Sequence, residues 1–251
     1  MLEITEIFGP TIQGEGKKIG TPSIFIRFGK CNLSCQGFEV EYETPSGVKK
    51  KSCDSYYSVD NAFKEQWDKY DNFEDIIKVV TKIEPKNYKP DIVITGGEPL
   101  LYWKDKEFQK LLEYYVSNYY NVTIETNATI NIDINKEYQR KILFSMSVKL
   151  SNSIEPLKKR VDSVALTNII QKIDNKYLKF VISKEFINIA KEEIELILQG
   201  IPKVDVYLMP MGDTEEALNN NSEAVVDFAV TYGYLYSDRL HIRIWNDKRG
   251  V

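Results

Sequence analysis

The chain has 251 residues, with 33 Lys and Arg against 37 Asp and Glu and a formal net charge of −4. That balance excludes nucleic-acid binding by bulk positive charge. Hydrophobic residues at 43% and charged residues at 28% describe a folded domain rather than a disordered segment, and no apolar run approaches the ~20 residues of a membrane span. The opening residues 1–6 lack the basic and apolar stretches of a secretion signal, so a cytoplasmic setting is expected. A single histidine, His241, argues against Ser-His-Asp chemistry and against a metal site of several imidazoles. The three cysteines, Cys31, Cys35 and Cys53, cannot all pair within the chain, which predicts reduced thiols rather than a disulfide framework.

Taken in chain order, residues 23–28 read as a strand. Residues 36–52 look like an insertion, with Thr44-Pro45-Ser46-Gly47 as the turn of an exposed hairpin; Lys49-Lys50-Lys51 is a solvated run within it. Phe73, Ile76, Ile77, Val80 and Ile83 share a helical face. Residues 91–95 form a buried strand ending at Gly96-Gly97, and Phe108, Leu111, Leu112, Tyr115 and Tyr119 mark a second amphipathic helix. Strands follow at 122–125 and 142–147, a helix near 161–173, and a strand at 177–182. A helix at about 186–199 stops at Gly200. A strand at 204–209, a helix at about 214–231 and a strand at 240–245, which would carry His241 as a structural residue, close the chain. This alternation predicts an α/β fold, an incomplete TIM-like barrel of about six βα units in one domain over 1–251, with chemistry at the C-terminal strand ends. The cysteines, Gly96-Gly97-Glu98-Pro99 and Glu125 all fall at such ends.

Three cysteines on one loop can hold three irons of a [4Fe–4S] cluster and leave the fourth open. They can also hold zinc with an open position, or pack as buried thiols. Spacing alone does not choose among these. Arg27 offers a fork suited to a carboxylate, although an arginine in a strand is more often a surface residue. Glu125 has a solvated carboxylate as its competing reading, and residues 13–16 a flexible turn.

Further motifs carry a resemblance along nearly the whole chain. They are Glu6-Ile7-Phe8-Gly9-Pro10-Thr11-Ile12-Gln13-Gly14-Glu15-Gly16, Cys31-Asn32-Leu33-Ser34-Cys35, Cys53-Asp54-Ser55-Tyr56-Tyr57, Thr95-Gly96-Gly97-Glu98-Pro99-Leu100 and Glu125-Thr126-Asn127. With Ser147-Val148-Lys149, Met209-Pro210-Met211-Gly212 and the ending Arg249-Gly250-Val251, the sequence resembles the radical S-adenosylmethionine (SAM) superfamily and, within it, the 7-carboxy-7-deazaguanine synthases. Three departures stand out. Residues 36–52 separate the last two cysteines, where the superfamily usually has two residues; Ser55 replaces a Thr; and Val148 replaces a Pro.

The resemblance implies a [4Fe–4S] cluster on Cys31, Cys35 and Cys53, with SAM on its open iron. SAM would be lined by Ser52, Cys53, Asp54, Gly97, Glu98, Ser147, Val148, Lys149, Met209, Pro210, Met211 and Gly212, with Glu98 near the methionyl ammonium. It implies conversion of 6-carboxy-5,6,7,8-tetrahydropterin to 7-carboxy-7-deazaguanine with loss of ammonia, started by a radical from SAM. The substrate would meet Ile12, Gln13, Gly14, Arg27, Thr95, Glu125 and the Val251 carboxylate, and Ser55 would bind Mg²⁺. Also implied are an electron donor such as flavodoxin or ferredoxin, a homodimer, and no contact with nucleic acid or membrane. A glycyl-radical activase and a zinc- or cluster-binding interaction module are the alternatives.

Overall fold

The computed structural model describes residues 1–250. Its first half comprises β1 (Leu2–Ile12), β2 (Pro22–Phe28), β3 (Val40–Glu43), β4 (Lys49–Ser52), α1 (Tyr56–Val59), β5 (Asp68–Tyr70), α2 (Phe73–Ile83), β6 (Asp91–Gly96), α3 (Lys106–Ser117) and β7 (Val122–Thr126). There follow α4 (Glu137–Lys141), β8 (Leu143–Ser147), α5 (Leu157–Arg160), α6 (Ser163–Lys172), β9 (Asn175–Ile182), α7 (Ile187–Gln199), β10 (Val206–Pro210), α8 (Glu215–Tyr232), β11 (Leu235–Tyr236) and α9 (Leu240–Trp245).

Nine strands make one sheet in the order β11-β10-β9-β8-β7-β6-β2-β1-β5. Every pair from β2 to β11 is parallel, while β1 and β5 join antiparallel at the far edge. Ile92, Ile94, Ile124, Phe144, Met146, Leu178 and Phe180 are fully buried. Val93 is buried as well, so β6 is covered on both faces, as parallel strands under helices require. The helices supply the cover through periodic stripes, such as Phe108, Leu111, Leu112 and Tyr115 of α3. Asn72, Asp105, Asp162 and Thr214 start their helices by accepting a hydrogen bond from a first-turn N–H.

The parallel sheet with its alternating helices matches the sequence expectation, and its two ends, β11 and β5, stay apart, leaving the barrel incomplete. One predicted strand is overturned. Residues 240–245 are the helix α9: alternation of Leu240, Ile242 and Ile244 resembled a strand, but Ile242 is buried and Ile244 exposed. β1 was not expected. Its register with β2 slips between Phe8 and Thr11, where Gly9-Pro10 interrupts the apolar pattern that marks a strand.

The predicted hairpin is present as the separate pair β3–β4. It is not wholly free: the Tyr42 ring stacks on Tyr56 at 4.1 Å, and its hydroxyl donates to Asp60 at 2.8 Å. A stacked pair of this kind contributes ~0.5–1.5 kcal/mol beyond its buried area. Tyr42→Ala is therefore expected to speed tryptic cleavage at Lys49–Lys51 several-fold while leaving the melting temperature nearly unchanged. Equal cleavage of the two proteins would show that the stack does not hold the arm.

Candidate active site

A cavity of about 600 Å³ opens at the C-terminal edge of the parallel strands. The cysteine loop reaches it because Gly96 and Gly97 end β6. A Cβ on Gly96 would collide with the Phe28 backbone, and one on Gly97 with the Lys30 carbonyl. With those atoms absent, the Gly97 N–H donates to Phe28 O at 2.9 Å and the Glu98 N–H to Lys30 O at 2.8 Å. The chain leaving β2 is thus pinned across the end of β6.

Most residues singled out from the sequence meet in this cavity. Ile12, Gln13, Gly14, Arg27, Thr95 and Glu125 line one part, and Cys31, Cys35, Cys53, Asp54, Ser55 and Gly97 another. Ser147, Lys149, Met209, Met211 and Gly212 complete the wall. Ser52, Glu98, Val148 and Pro210 are buried and do not line it. Val251 lies outside the described residues.

The three cysteines are free thiols facing one space. Burial pushes each thiol up, Cys35 to about 12, and the sulfurs of Cys31, Cys35 and Cys53 repel one another's charge. Holding all three as thiolates in this buried space would need compensating positive charge, which a thiolate-held iron cluster supplies.

Glu98 departs from expectation. Its Oε1 accepts from Thr126 Oγ1 at 2.7 Å and Leu100 N at 2.9 Å, and its Oε2 from Asn127 N at 2.7 Å. The carboxylate ties the ends of β6 and β7 together instead of facing the cavity. Burial raises its pKa, and these donors oppose the rise.

On the same cavity wall, Glu125 accepts from Gln13 Nε2 at 3.0 Å and from Thr95 Oγ1 at 2.8 Å. The solvated reading of Glu125 is replaced by a built hydrogen-bond trio. Arg27 is likewise no surface residue: its side chain is 16% exposed, and its Nε donates to Glu6 Oε1 at 2.6 Å. Its Nη1 donates to Ser55 Oγ at 3.3 Å. Phe8 and Tyr57 flank the guanidinium at 5.9 Å each.

Sequence reasoning missed the charged chain beside this trio. Glu15 pairs with Lys179 at 2.5 Å and with Arg239 at 3.0 Å. Arg239 also donates to Asp54 at 2.6 Å and to the Gly212 carbonyl at 2.5 Å. Burial alone would raise the Glu15 pKa, but Lys179 and Arg239 hold it well below the usual carboxylate range. His241 lines the cavity too, and burial holds its pKa below the ordinary imidazole value. A lysine inside the buried run 177–182 was a usable signal for Lys179. Nothing local pointed to Arg239, and the strand reading of 240–245 hid His241. Gly14 is required here because a Cβ would strike the His241 ring.

Comparison with known proteins bears on this geometry. Residues 12–173 match the family described as a 4Fe-4S single cluster domain. The 7-carboxy-7-deazaguanine synthase of Halobacterium salinarum is 30% identical, over 98% of this chain and 91% of its own. That of Buchnera aphidicola is 32% identical, over 86% and 87%. The crystal structure of QueE from Escherichia coli shares the fold, with a TM-score of 0.62 at 21% identity over 96% of this chain and 94% of that one.

The Glu15 pairing has a pH signature. A depressed carboxylate pKa adds stability that is fully present above its unfolded value of about 4.5 and is lost as pH falls toward the folded value. Breaking a buried ion pair costs about 3–5 kcal/mol. Denaturant unfolding of Glu15→Gln is expected to show a loss of that order at pH 7 that shrinks steadily below pH ~4.5. A deficit independent of pH would mean that the carboxylate charge is not what stabilises this junction.

Proposed function

The chain belongs to the 4Fe–4S single cluster domain family and to the 7-carboxy-7-deazaguanine synthases, and from that membership we infer a radical SAM enzyme that converts 6-carboxy-5,6,7,8-tetrahydropterin to 7-carboxy-7-deazaguanine with release of ammonia. The observation that carries the reading is one cavity lined by two chemically distinct groups. Three free thiols line it together with the Gln13–Glu125–Thr95 trio and Arg27.

In this reading Cys31, Cys35 and Cys53 hold a [4Fe–4S] cluster, and Asp54, Gly97, Ser147, Lys149, Met209, Met211 and Gly212 surround SAM beside it. When bound, the two together supply a one-electron route to hydrogen abstraction from the substrate. The protein's part is placement. Glu125, fixed by two donors, presents acceptor oxygens to the flat donor–acceptor ring. Arg27 is held by Glu6 on its Nε edge and is left to meet the substrate carboxylate with the rest of its fork. Glu15, Lys179 and Arg239 join the loop after β1, strand β9 and the turn at Gly212, so these parts of the cavity wall share one frame.

The proposal extends to Mg²⁺ at Ser55. The hydroxyl donates to Asp54 Oδ1 at 3.2 Å and accepts from Arg27, whose positive charge disfavours a metal until a substrate carboxylate arrives. Metal and substrate therefore reinforce each other's binding. It also includes a homodimer, a flavodoxin or ferredoxin as electron donor, a single domain carrying the whole site, and a reducing cytoplasmic setting in which three unpaired thiols persist. No helix among the described residues is long and apolar enough to cross a membrane.

The test is anaerobic reconstitution with iron and sulfide, then SAM, reductant and the carboxy-tetrahydropterin, read by product mass. Formation of the deazaguanine product is expected, and its absence from a cluster-loaded protein would overturn the reading. Cys53→Ala is expected to lose iron and SAM cleavage. A charge-assisted hydrogen bond contributes about 1.5–3 kcal/mol. Arg27→Ala should accordingly weaken substrate binding by roughly tenfold or more with the cluster intact; unchanged affinity would remove Arg27 from the substrate site.

A further inference from the structure

We propose that Glu155 and Ser52 form a polar staple that keeps Cys35 and Cys53 within reach of one cluster despite the long segment between them, and that the Glu155 charge sets the cluster's ease of reduction. The proposal rests on the reading of the three cysteines as cluster ligands.

Residues 36–52 leave after Cys35 and return before Cys53. The β3–β4 ladder pairs Val40 with Ser52 and closes the outer part of this segment, which leaves residues 36–39 and the two cysteines beneath it to be fixed by other contacts. Here Ser34, beside Cys35, is gripped at every polar group. Glu155 Oε1 accepts from Ser34 N at 2.5 Å, from Ser34 Oγ at 2.7 Å and from Cys35 N at 3.0 Å. Ser52, beside Cys53, donates from its Oγ to the Ser34 carbonyl at 2.6 Å. The same Oγ stands 3.9 Å from Cys53 Sγ. One hydrogen-bonded junction therefore joins the two cysteine segments to each other and to the chain following β8. Both anchors are buried, Ser52 to 4% and Glu155 to 8% exposure.

Cys35 has a φ of 48°, in the left-handed region that a side-chain-bearing residue holds only when its surroundings fix it. Glu155 provides that fixing through the Cys35 N–H. Its charge has a second effect. Hydrogen bonds to ligand sulfurs and local net charge set the potential of an iron–sulfur cluster. A carboxylate on the Cys35 amide adds negative charge and claims a donor that could otherwise turn to sulfur. Both actions oppose reduction. Glu155 is a positioning residue, acting through the cysteine backbone.

The experiment compares the full-length native protein with Glu155→Gln, Glu155→Ala and Ser52→Ala after anaerobic reconstitution with iron and sulfide. Iron per chain and the cluster midpoint potential are the readouts. Glutamine keeps the accepting oxygen and loses the charge, so Glu155→Gln is expected to load iron like the native protein and to show a higher potential. Glu155→Ala and Ser52→Ala are expected to lose at least half of the bound iron. Full loading in both alanine variants overturns the staple, and a native potential in Glu155→Gln overturns the charge effect. Absence of iron from the reconstituted native protein would strike at the ligand assignment itself, a separate failure. Circular dichroism of each unloaded variant identifies any that fails to fold. Should Glu155→Ala be among them, Ser52→Ala and Glu155→Gln decide the matter.

Discussion

The close passage of one backbone over another at the end of β6 governs the site. Gly96 and Gly97 leave room for the segment from Phe28 to Lys30 to lie directly on the sheet edge, and two backbone hydrogen bonds lock it there. A side chain at either position would lift the following loop and with it Cys31. The same strand end carries Glu98, whose three hydrogen bonds draw in the end of β7. Asn127, held in that way, donates to Asn32 at 2.9 Å, beside Cys31. A steric allowance at two residues is thus converted into a fixed relation between two strands and a cysteine loop.

Electrostatics divides the cavity that this arrangement opens. Buried charges are tolerated only in pairs, and here each pair spans distant parts of the chain. Glu6 holds Arg27 across β1 and β2. Glu15 holds Lys179 of β9 and Arg239 near the end of the chain, and Arg239 in turn holds Asp54 next to Cys53. Glu125 instead accepts its hydrogen bonds from two neutral donors, Gln13 and Thr95. Its oxygens therefore keep more of their acceptor strength for an incoming N–H, whereas those of Glu15 are taken by cations.

Much of the fold was legible because its central strands are buried on both faces and its helices are amphipathic, patterns that survive in the order of apolar residues alone. The strands near Phe25, Ile94, Ile124, Phe144 and Phe180 fell where expected for that reason. β1 was not legible because Gly9-Pro10 breaks its pattern, and α9 was misread because a short helix offers few residues with which to tell a period of 2 from one of 3.6. The site was legible where a motif concentrates unusual residues, as with the cysteines and Gly96-Gly97. It was opaque where function depends on residues distant in sequence. Arg239 gains its meaning from Glu15, Asp54 and Gly212, three contacts that only the folded chain creates. Glu98 was assigned to the cavity from its motif, yet its side chain points to neighbouring strand ends.

The inserted arm shows how a fold accommodates extra chain at a sensitive place. Lengthening a loop raises its closure cost only slowly, by about 0.6 kcal/mol for each doubling, so stability sets a weak limit on such an insertion. Geometry sets the strong one, since both ends must return to positions a cluster dictates. β3 and β4 meet this demand by pairing with each other, Val40 opposite Ser52, which brings the outgoing and returning strands side by side. Tyr42 then seats the hairpin on Tyr56 and Asp60, just beyond Cys53. The ends of the arm are fixed from both sides, by the ladder within it and by the Ser34, Ser52 and Glu155 contacts beneath it. Its tip can therefore vary in sequence and length without moving a cysteine, provided the pair closest to the sulfurs, Val40 and Ser52, remains joined.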